Sequence, residues 1–232
     1  MLKRTKKYIL RFLRGANRIF DLRAWLLAGE SGPHPLAGDR AIEWSWIVAR
    51  LPSRSGVALD LGCVDSVLSG IASRLGHSVV AVDLREIEYE MQGVTFVKGD
   101  FNVLDFGHQK FDTIMNCSMI EHVGLVGRYD SPADPDGDLS AMRKLLEVLA
   151  PGGTMIMTIP VGVDALFSPW HRIYGRHRLE SLVAGYTVLD EEFWFKAETG
   201  RWQRCTREHA LSLPGSERAY ALGLFVLSRA SA

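Results

Sequence analysis

The segment that decides the fold runs Val57-Ala58-Leu59-Asp60-Leu61-Gly62-Cys63-Val64-Asp65-Ser66. Its apolar run predicts a buried first strand, and the acidic, glycine and polar residues that follow predict a tight turn into a helix. A second apolar run, Val79-Val80-Ala81-Val82, ends at Asp83. In parallel sheets, a glycine turn after one strand and an acidic residue at the end of the next form a ribose-binding arrangement. The segment therefore predicts an α/β fold that binds a nucleotide-like ligand.

Strand and helix patterns alternate through the rest of the chain. Strands are predicted at 57–60, 78–82, 94–97, 113–116 and 154–159, near Val188, and within 219–227. Helices are predicted at 39–51, 65–75, 138–149 and 179–183, with Asp39 and Asp138 as N-caps. This alternation predicts a doubly wound, mainly parallel sheet, in which ligands bind beyond the carboxyl ends of the strands.

Composition fits one α/β domain with a full core, since 47% of the 232 residues are hydrophobic and 23% are charged. No apolar run approaches the roughly 18 to 20 residues that span a bilayer, and we expect no secretory signal. The cysteines Cys63, Cys117 and Cys205 are scattered. Their spacing predicts neither a metal site nor a redox pair and is typical of a protein in a reducing cytoplasm.

Charge is unevenly distributed along the chain. Residues 1–23 carry eight Lys or Arg residues and one acidic residue, whereas the remainder carries 19 basic and 26 acidic residues. We predict a separate N-terminal segment, 1–35, that is either a helical cap packed on the domain or a basic amphipathic helix on an anionic membrane surface. The second alternative would place a cytoplasmic protein at the inner face of the membrane. The acidic body, 36–232, argues against nucleic acid as the main partner.

Five pieces of the chain, in this order, resemble the class I S-adenosylmethionine-dependent methyltransferases: Asp60-Leu61-Gly62-Cys63, Val82-Asp83-Leu84, Gly99-Asp100-Phe101, Phe111-Asp112-Thr113-Ile114 and Leu149-Ala150-Pro151-Gly152-Gly153. This resemblance implies a Rossmann-like sheet of seven strands whose last strand is antiparallel. A narrower resemblance is to a poorly characterised bacterial subgroup associated with surface-polysaccharide and glycan biosynthesis, and it rests on 118–125, 127–129, 134–138, 160–162 and 171–175.

The resemblance implies S-adenosyl-L-methionine as cofactor and S-adenosyl-L-homocysteine as product, and it implies a role for each strand end. Asp60 would lie near the methionine amine, and the backbone around Gly62 and Cys63 would face the methionine carboxylate. Asp83, beside Leu84, would accept the ribose hydroxyls. The implied adenine contacts are Asp100 and Phe101, and the implied floor near the sulfonium is Cys117 and Ser118.

The glycine turn departs from the family pattern at two positions. Val64 and Ser66 stand where the family has its second and third glycines. A dinucleotide pyrophosphate needs those glycines, whereas S-adenosylmethionine has no phosphate. The departure therefore favours a methyltransferase over a dehydrogenase, and it also leaves room for a site that binds no cofactor.

Candidate catalytic residues follow the fourth strand. His122 is the favoured general base for a hydroxyl acceptor, and Glu121 is either the base or the group that orients it. The alternative is that both residues bond loop backbone and close the pocket. The acidic residues between Asp130 and Asp138 lack the terminal glutamate of a calcium loop, because Leu145 stands there. We therefore predict no metal site.

Predicted substrate-binding residues lie in two segments. The first contains Arg128 and Tyr129, and the second contains His171, Arg172 and Tyr174. Three Arg and two His residues within 171–178 suit an anionic acceptor such as a phosphate- or carboxylate-bearing sugar, and the alternative is a solvated turn.

The sequence thus predicts an S-adenosylmethionine-dependent methyltransferase that modifies an oxygen of a glycan or another hydroxylated small metabolite. Two alternatives remain open. One is N-methylation of an amino sugar or another amine. The other is a catalytically silent S-adenosylmethionine-binding scaffold protein.

Overall fold

The stretch around Asp60 forms the expected strand and turn at the centre of a sheet. A computed structural model describes residues 38–87, 90–127 and 133–230. Its strands are β1 (Val57–Leu61), β2 (Ser78–Asp83), β3 (Val94–Lys98), β4 (Phe111–Cys117), β5 (Leu149–Val161), β6 (Ala165–Phe167), β7 (His171–Ile173), β8 (Tyr186–Lys196), β9 (Trp202–Cys205) and β10 (Ala221–Arg229). Its helices are α1 (Asp39–Arg50), α2 (Leu68–Arg74), α3 (Gly137–Val148), α4 (Arg176–Leu182) and α5 (Arg207–Ser212), with a 3₁₀ turn at Ile120–His122.

The main sheet has the order β3-β2-β1-β4-β5-β10-β8-β9. Strands β1 to β5 are parallel, and β10 runs antiparallel to both β5 and β8. The Rossmann-like fold and its antiparallel last strand are therefore confirmed. The predicted count of seven strands is wrong, because β9 pairs with the far end of β8 and makes the sheet of the described chain eight-stranded. Strand β9 has four residues, too few for the sequence to show a clear alternation.

Helices cover both faces of the sheet, as a doubly wound fold requires. On one face, Ile42 and Ile47 of α1 pack with apolar residues of α2 and β4. On the other, Met142 and Leu145 of α3 belong to a larger cluster that includes parts of α4 and α5. Successive side chains of a strand point to opposite faces of the sheet. A polar side chain at the end of a strand therefore faces the helices of one side or of the other.

Both N-cap predictions are wrong by one or two positions. Helix α1 is capped by Gly38, and Asp39 is its first residue, with its carboxylate accepting a hydrogen bond from the Tyr220 hydroxyl at 2.7 Å. Helix α3 is capped by Asp136, while Asp138 points into the protein. In each case a long-range partner takes the carboxylate that the local pattern assigned to a cap.

A buried ion cluster joins α3, α4 and the β6–β7 hairpin. The Asp138 carboxylate accepts hydrogen bonds from Arg178 at 2.5 and 3.1 Å and from the Tyr174 hydroxyl at 3.1 Å, and Arg172 Nε lies 3.7 Å away. Asp138 and Tyr174 have no exposed surface. The cluster therefore fixes the hairpin against the start of α3.

Three predictions lie outside the described residues: the N-terminal segment 1–35 and the candidate substrate residues Arg128 and Tyr129. No helix within the described ranges is both long and apolar enough to cross a membrane.

Replacing Asp138 by asparagine should lower the free energy of unfolding by about 3 to 5 kcal/mol, because it leaves the buried Arg172 and the half-buried Arg178 without their buried counter-charge. Urea denaturation measures the change. Asp136→Asn is the matched control: Asp136 pairs with the same Arg178 at 2.9 Å but is largely exposed, so its loss should cost less than about 1 kcal/mol. Equal effects of the two substitutions would contradict the structural role of the Asp138 cluster.

Candidate functional site

The candidate site is built at the carboxyl ends of β1, β2 and β4. These strands are parallel neighbours, with Leu61 opposite Val82 on one side and Asn116 on the other. The turn after β1 is tied to β2 by a hydrogen bond from the Gly62 amide to the Val82 carbonyl at 2.9 Å. Parallel alignment therefore brings the predicted cofactor residues to one edge of the sheet.

Gly62 begins the turn in a conformation that favours glycine. Its φ is +71°, and a Cβ there would lie 2.8 Å from Met119 Cγ. Met119 follows β4, so glycine allows close contact between the ends of two strands. Asp65 also takes a positive φ, +69°. The turn thus reaches the left-handed region at an aspartate rather than at a second glycine, and aspartate is among the residues that tolerate it.

Asp60 is buried beneath the turn with 1% of its surface exposed. Its Oδ2 accepts a hydrogen bond from the Ser69 hydroxyl of α2 at 2.5 Å. Burial raises the pKa of Asp60 to about 7. Burial, aided by the nearby Asp60 carboxylate, also raises the pKa of Cys63 to about 12. The turn therefore holds an acidic group that a nearby cation would stabilise in its charged form, and a thiol that stays protonated.

Asp83 ends β2 and holds the turn from the other side. Its Oδ2 accepts the Val64 amide, and its Oδ1 accepts the Arg85 amide, both at 2.9 Å. The Arg85 guanidinium extends from the same carboxylate, at 3.4 Å, to Asp65 Oδ2 at 2.9 Å and the Val64 carbonyl at 3.0 Å. Leu84, between Asp83 and Arg85, is half-buried. Asp83, the residue predicted to bind the ribose, therefore lies at the end of β2. The Arg85 side chain forms a clasp across the turn beside it.

Asp100 and Phe101 follow β3, as predicted. The Asp100 carboxylate accepts the Asn102 amide at 2.9 Å, and Phe101 is buried. Lys144 of α3 donates to the carbonyls of Phe101 and Asn102 at 2.7 and 3.0 Å. The lysine secures the short loop in which the predicted adenine contacts lie.

A buried carboxylate that was not predicted from the sequence bonds the segment after β4. Glu43 of α1 is fully buried. Its Oε1 accepts hydrogen bonds from the Ser118 hydroxyl and from the Thr158 hydroxyl, the latter at 2.6 Å. Cys117 lies in the same group, since Thr158 Oγ1 is 3.7 Å from its sulfur. A glutamate within the apolar stripe of Ile42, Trp46 and Ile47 was the available signal.

Arg40 forms the exposed end of this group. Its guanidinium donates to Glu43 Oε2 at 2.8 Å and lies 3.4 Å from Cys117 Sγ, and 42% of its side chain is exposed. It also interacts electrostatically with Asp39 and Glu121. Three carboxylates therefore converge on one arginine beside the end of β4.

Glu121 and His122 lie in the 3₁₀ turn just after this segment. His122 Nδ1 lies 2.6 Å from the Trp170 carbonyl, and its Nε2 lies 3.7 Å from Glu121 Oε1. A carbonyl can only accept, so Nδ1 must carry a proton. In the neutral ring Nε2 then holds the basic lone pair. His122 thus bonds loop backbone and directs its basic nitrogen toward Glu121. Its role as a general base stays a prediction.

The second predicted substrate segment points inward. Arg172 donates to the carbonyl of Val123 at 2.5 Å and to those of Asp134 and Pro135 at 3.2 Å, and only 5% of its surface is exposed. Tyr174 is fully buried, and burial, with the nearby Asp138, raises its pKa well above the usual range. These two side chains position loops in this structure. Their contact with substrate stays a prediction.

His171 contacts helix α1 indirectly, through Tyr220. Its buried ring makes an edge contact with Tyr220, at a centroid distance of 5.3 Å, and Tyr220 bonds Asp39 of α1.

In residues 38–87, 90–127 and 133–230, no group of three or more His, Cys, Asp or Glu side chains could hold a metal ion.

A family model matches residues 71–204, which is more than half of the chain, and its description is "Caenorhabditis protein of unknown function, DUF268". The chain belongs to the DUF268 family. The matched range contains Asp83, Asp100 and the Glu121-His122 pair. Asp60, Gly62 and the whole of α1 precede it.

Curated relatives of this DUF268 member are named ubiquinone biosynthesis O-methyltransferases. The protein of Cereibacter sphaeroides (strain ATCC 17029 / ATH 2.4.9) is 32% identical over 117 residues, 47% of this chain and 42% of the relative. The protein of Xanthomonas campestris pv. campestris (strain B100) is 24% identical over 211 residues, 84% of this chain and 77% of the relative. The chain thus matches less than half the length of the first of these relatives.

Solved structures with a similar backbone are methyltransferases of low sequence identity. The 1,6-didemethyltoxoflavin-N1-methyltransferase of Burkholderia thailandensis, with bound S-adenosylhomocysteine, has a TM-score of 0.51 and 17% identity, covering 98% of this chain and 90% of its own. The N-methyltransferase NodS of Bradyrhizobium japonicum WM9, with S-adenosylhomocysteine, has a TM-score of 0.53 and 14% identity, covering 83% and 88%. The DUF268 chain therefore has the class I methyltransferase fold.

The raised pKa of Asp60 predicts a pH-dependent stability. The carboxyl of the unfolded chain ionises at its ordinary pKa of 3.8, whereas the folded one keeps its proton until about pH 7. Over that window the native state binds more protons, so this group's contribution makes stability fall as the pH rises. Asp60→Asn removes the contribution, and urea denaturation at several pH values should show the variant gaining roughly 2 to 4 kcal/mol relative to wild type between about pH 4 and about pH 8. A constant difference across that range would contradict the buried, protonated state of Asp60.

Proposed function

We propose that this protein is an S-adenosylmethionine-dependent methyltransferase that acts on a hydroxyl oxygen of a glycan or another hydroxylated small metabolite. The observation that carries the proposal is the meeting of Asp60, Gly62 and Asp83 at the ends of adjacent parallel strands, with Asp100 after the third. The curated relatives, which are named O-methyltransferases, support the type of reaction. The narrower resemblance of 118–125 and 171–175 supports a glycan acceptor.

The residues present fit the cofactor. Gly62 supplies the positive φ with which the turn leaves β1, and the buried Asp60 suits a cationic amine. Asp83 would hold the ribose hydroxyls once Arg85 Nε, which lies 3.4 Å from Asp83 Oδ1, shifts aside. Cys63 and Leu84 would contact the cofactor through the turn and the end of β2, Asp100 and Phe101 would hold the adenine, and Cys117 and Ser118 would lie below the sulfonium.

S-adenosylmethionine, when bound, supplies an electrophilic methyl group. The protein must hold the acceptor in line with it and remove the acceptor's proton. His122 would take that proton at Nε2, since the Trp170 carbonyl fixes the proton on Nδ1. The Trp170 carbonyl would orient the ring, and Glu121, 3.7 Å from Nε2, would stabilise the imidazolium that forms. Arg172 would act indirectly, by holding the loop around Glu121 and Val123 in place.

The charges around the site favour a neutral or cationic acceptor. Arg172 and Arg178 of the predicted anion-binding cluster are occupied by Asp138 and by backbone carbonyls. Asp39, Glu43 and Glu121 outnumber Arg40 beside β4. This surplus of carboxylates supports the second candidate, N-methylation of an amino sugar or another amine, which needs less assistance from a base.

A third candidate, a silent cofactor-binding scaffold, is supported by the Arg85 clasp and by the missing glycines at Val64 and Ser66. Isothermal titration calorimetry with S-adenosylhomocysteine, followed by a methyl-transfer screen on hydroxylated and amino sugars, separates the candidates. Binding without transfer to any acceptor would favour the scaffold, and transfer to amines alone would favour N-methylation.

Asp83→Ala should weaken S-adenosylhomocysteine binding by at least about 100-fold, because two hydrogen bonds to a charged acceptor are lost. Calorimetry measures the dissociation constant. Glu86→Ala is the control, since Glu86 lies three positions further along and pairs on the surface with Lys98 at 3.1 Å. Full affinity in the Asp83 variant would refute the ribose assignment.

His122→Ala should lower kcat by roughly 100- to 10,000-fold if the acceptor is a hydroxyl, which is the range for loss of a general base. Affinity for S-adenosylhomocysteine should stay within about threefold of wild type, equivalent to less than about 0.7 kcal/mol. Steady-state kinetics and calorimetry measure the two quantities. Unchanged turnover with the preferred acceptor would exclude His122 as the base.

A further inference from the structure

Helix α1 carries a buried glutamate that the proposed reaction leaves unused. Glu43 has no exposed surface, although its neighbours on the same face are Ile42, Trp46 and Ile47. Burying a carboxylate is costly, and apolar residues of similar volume often serve a packed face equally well. The charge at this position therefore calls for a role other than packing.

The two oxygens of Glu43 have different partners. Oε1 accepts the hydroxyls of Ser118 and Thr158, which follow β4 and lie in β5. Oε2 accepts one nitrogen of Arg40, one turn earlier in α1. The carboxylate therefore links a helix on one side of the sheet to the ends of two central strands, and Oε1 alone makes that link.

Ser118 needs to be held. Its φ is +46°, in the left-handed region that non-glycine residues avoid. Its amide donates to the Thr158 carbonyl at 3.0 Å, and its hydroxyl donates to Glu43. Such backbone conformations persist only where the surroundings over-determine them. Here a strand supplies one restraint and α1 supplies the other.

We propose that Glu43 is a positioning residue of the cofactor site. Through Oε1 it fixes Ser118 in its left-handed conformation, and it thereby shapes the Cys117–Ser118 floor on which the cofactor lies. This inference rests on the proposed function. It makes α1, which precedes the matched family range, a part of the binding site.

Three variants separate the contributions. Glu43→Gln keeps an oxygen that can accept both hydroxyls. Its NH2 group then faces Arg40, also a donor, so the part-exposed arginine side chain turns to solvent and only that pairing is lost. Glu43→Met removes both acceptors at similar volume. Ser118→Gly accepts the positive φ without restraint, so the floor no longer needs Glu43. Circular dichroism and thermal melting establish which full-length variants fold, and calorimetry gives their dissociation constants for S-adenosylhomocysteine.

Positioning by Oε1 predicts a specific pattern. Glu43→Met should weaken binding about tenfold, whereas Glu43→Gln should stay within about threefold of wild type. In the Ser118→Gly background, Glu43→Met should cost less than about threefold, since coupled sites are non-additive. A role in stability alone would lower the melting temperature without this coupling.

Two results would overturn the inference while the proposed function stands. One is equal losses of affinity on Glu43→Met in both backgrounds. The other is a Glu43→Gln variant that folds and binds as weakly as the methionine variant. If Glu43→Met does not fold, the Gln variant alone decides. Wild-type protein that binds no S-adenosylhomocysteine would overturn both the proposed function and this inference.

Discussion

The hydrogen bond from the Val64 amide to the Asp83 carboxylate, at 2.9 Å, is the contact on which the site depends. It joins the turn after the first strand to the end of the second, which parallel pairing has already brought alongside. The bond fixes a turn that has one glycine where the class I methyltransferase pattern it resembles has three. Within the turn, Asp65 has the left-handed backbone conformation. The Arg85 guanidinium, which also contacts the Asp83 carboxylate, donates a hydrogen bond to Asp65. One acidic side chain thus organises the turn and offers the oxygens that a ribose would need.

On the far side of the site, buried carboxylates again connect separate elements, because their oxygens accept hydrogen bonds from several of them. Glu43 links α1 to β4 and β5, and Asp138 links α3 to α4 and to the β6–β7 hairpin. Glu43 and Asp138 each have a guanidinium partner, because an unpaired buried charge is costly. Of the arginines predicted to bind substrate or lying beside them, Arg172 and Arg178 are used for this purpose in the part of the chain that the structure describes.

Local pattern was enough to predict β1 to β5 and the residues directly after them. These strands are apolar runs bounded by turn residues, and Asp60, Asp83 and Asp100 lie at or just beyond the ends of β1, β2 and β3. Strands β6, β7 and β9 were missed because strands of three or four residues have no distinct period. The partners of Glu43, Asp138 and Arg85 were missed for another reason. Those contacts join residues far apart in sequence or across a turn, and only the fold decides which charge meets which.

The central claim is that Asp83 holds a ribose in a turn that lacks two glycines. A crystal structure of the protein with S-adenosylhomocysteine tests it most directly. We expect both ribose hydroxyls within hydrogen-bonding distance of Asp83, the Val64 amide still bonded to that carboxylate, and the Arg85 guanidinium displaced from it. A ligand whose ribose lies away from Asp83, with the arginine still across the turn, would contradict the claim.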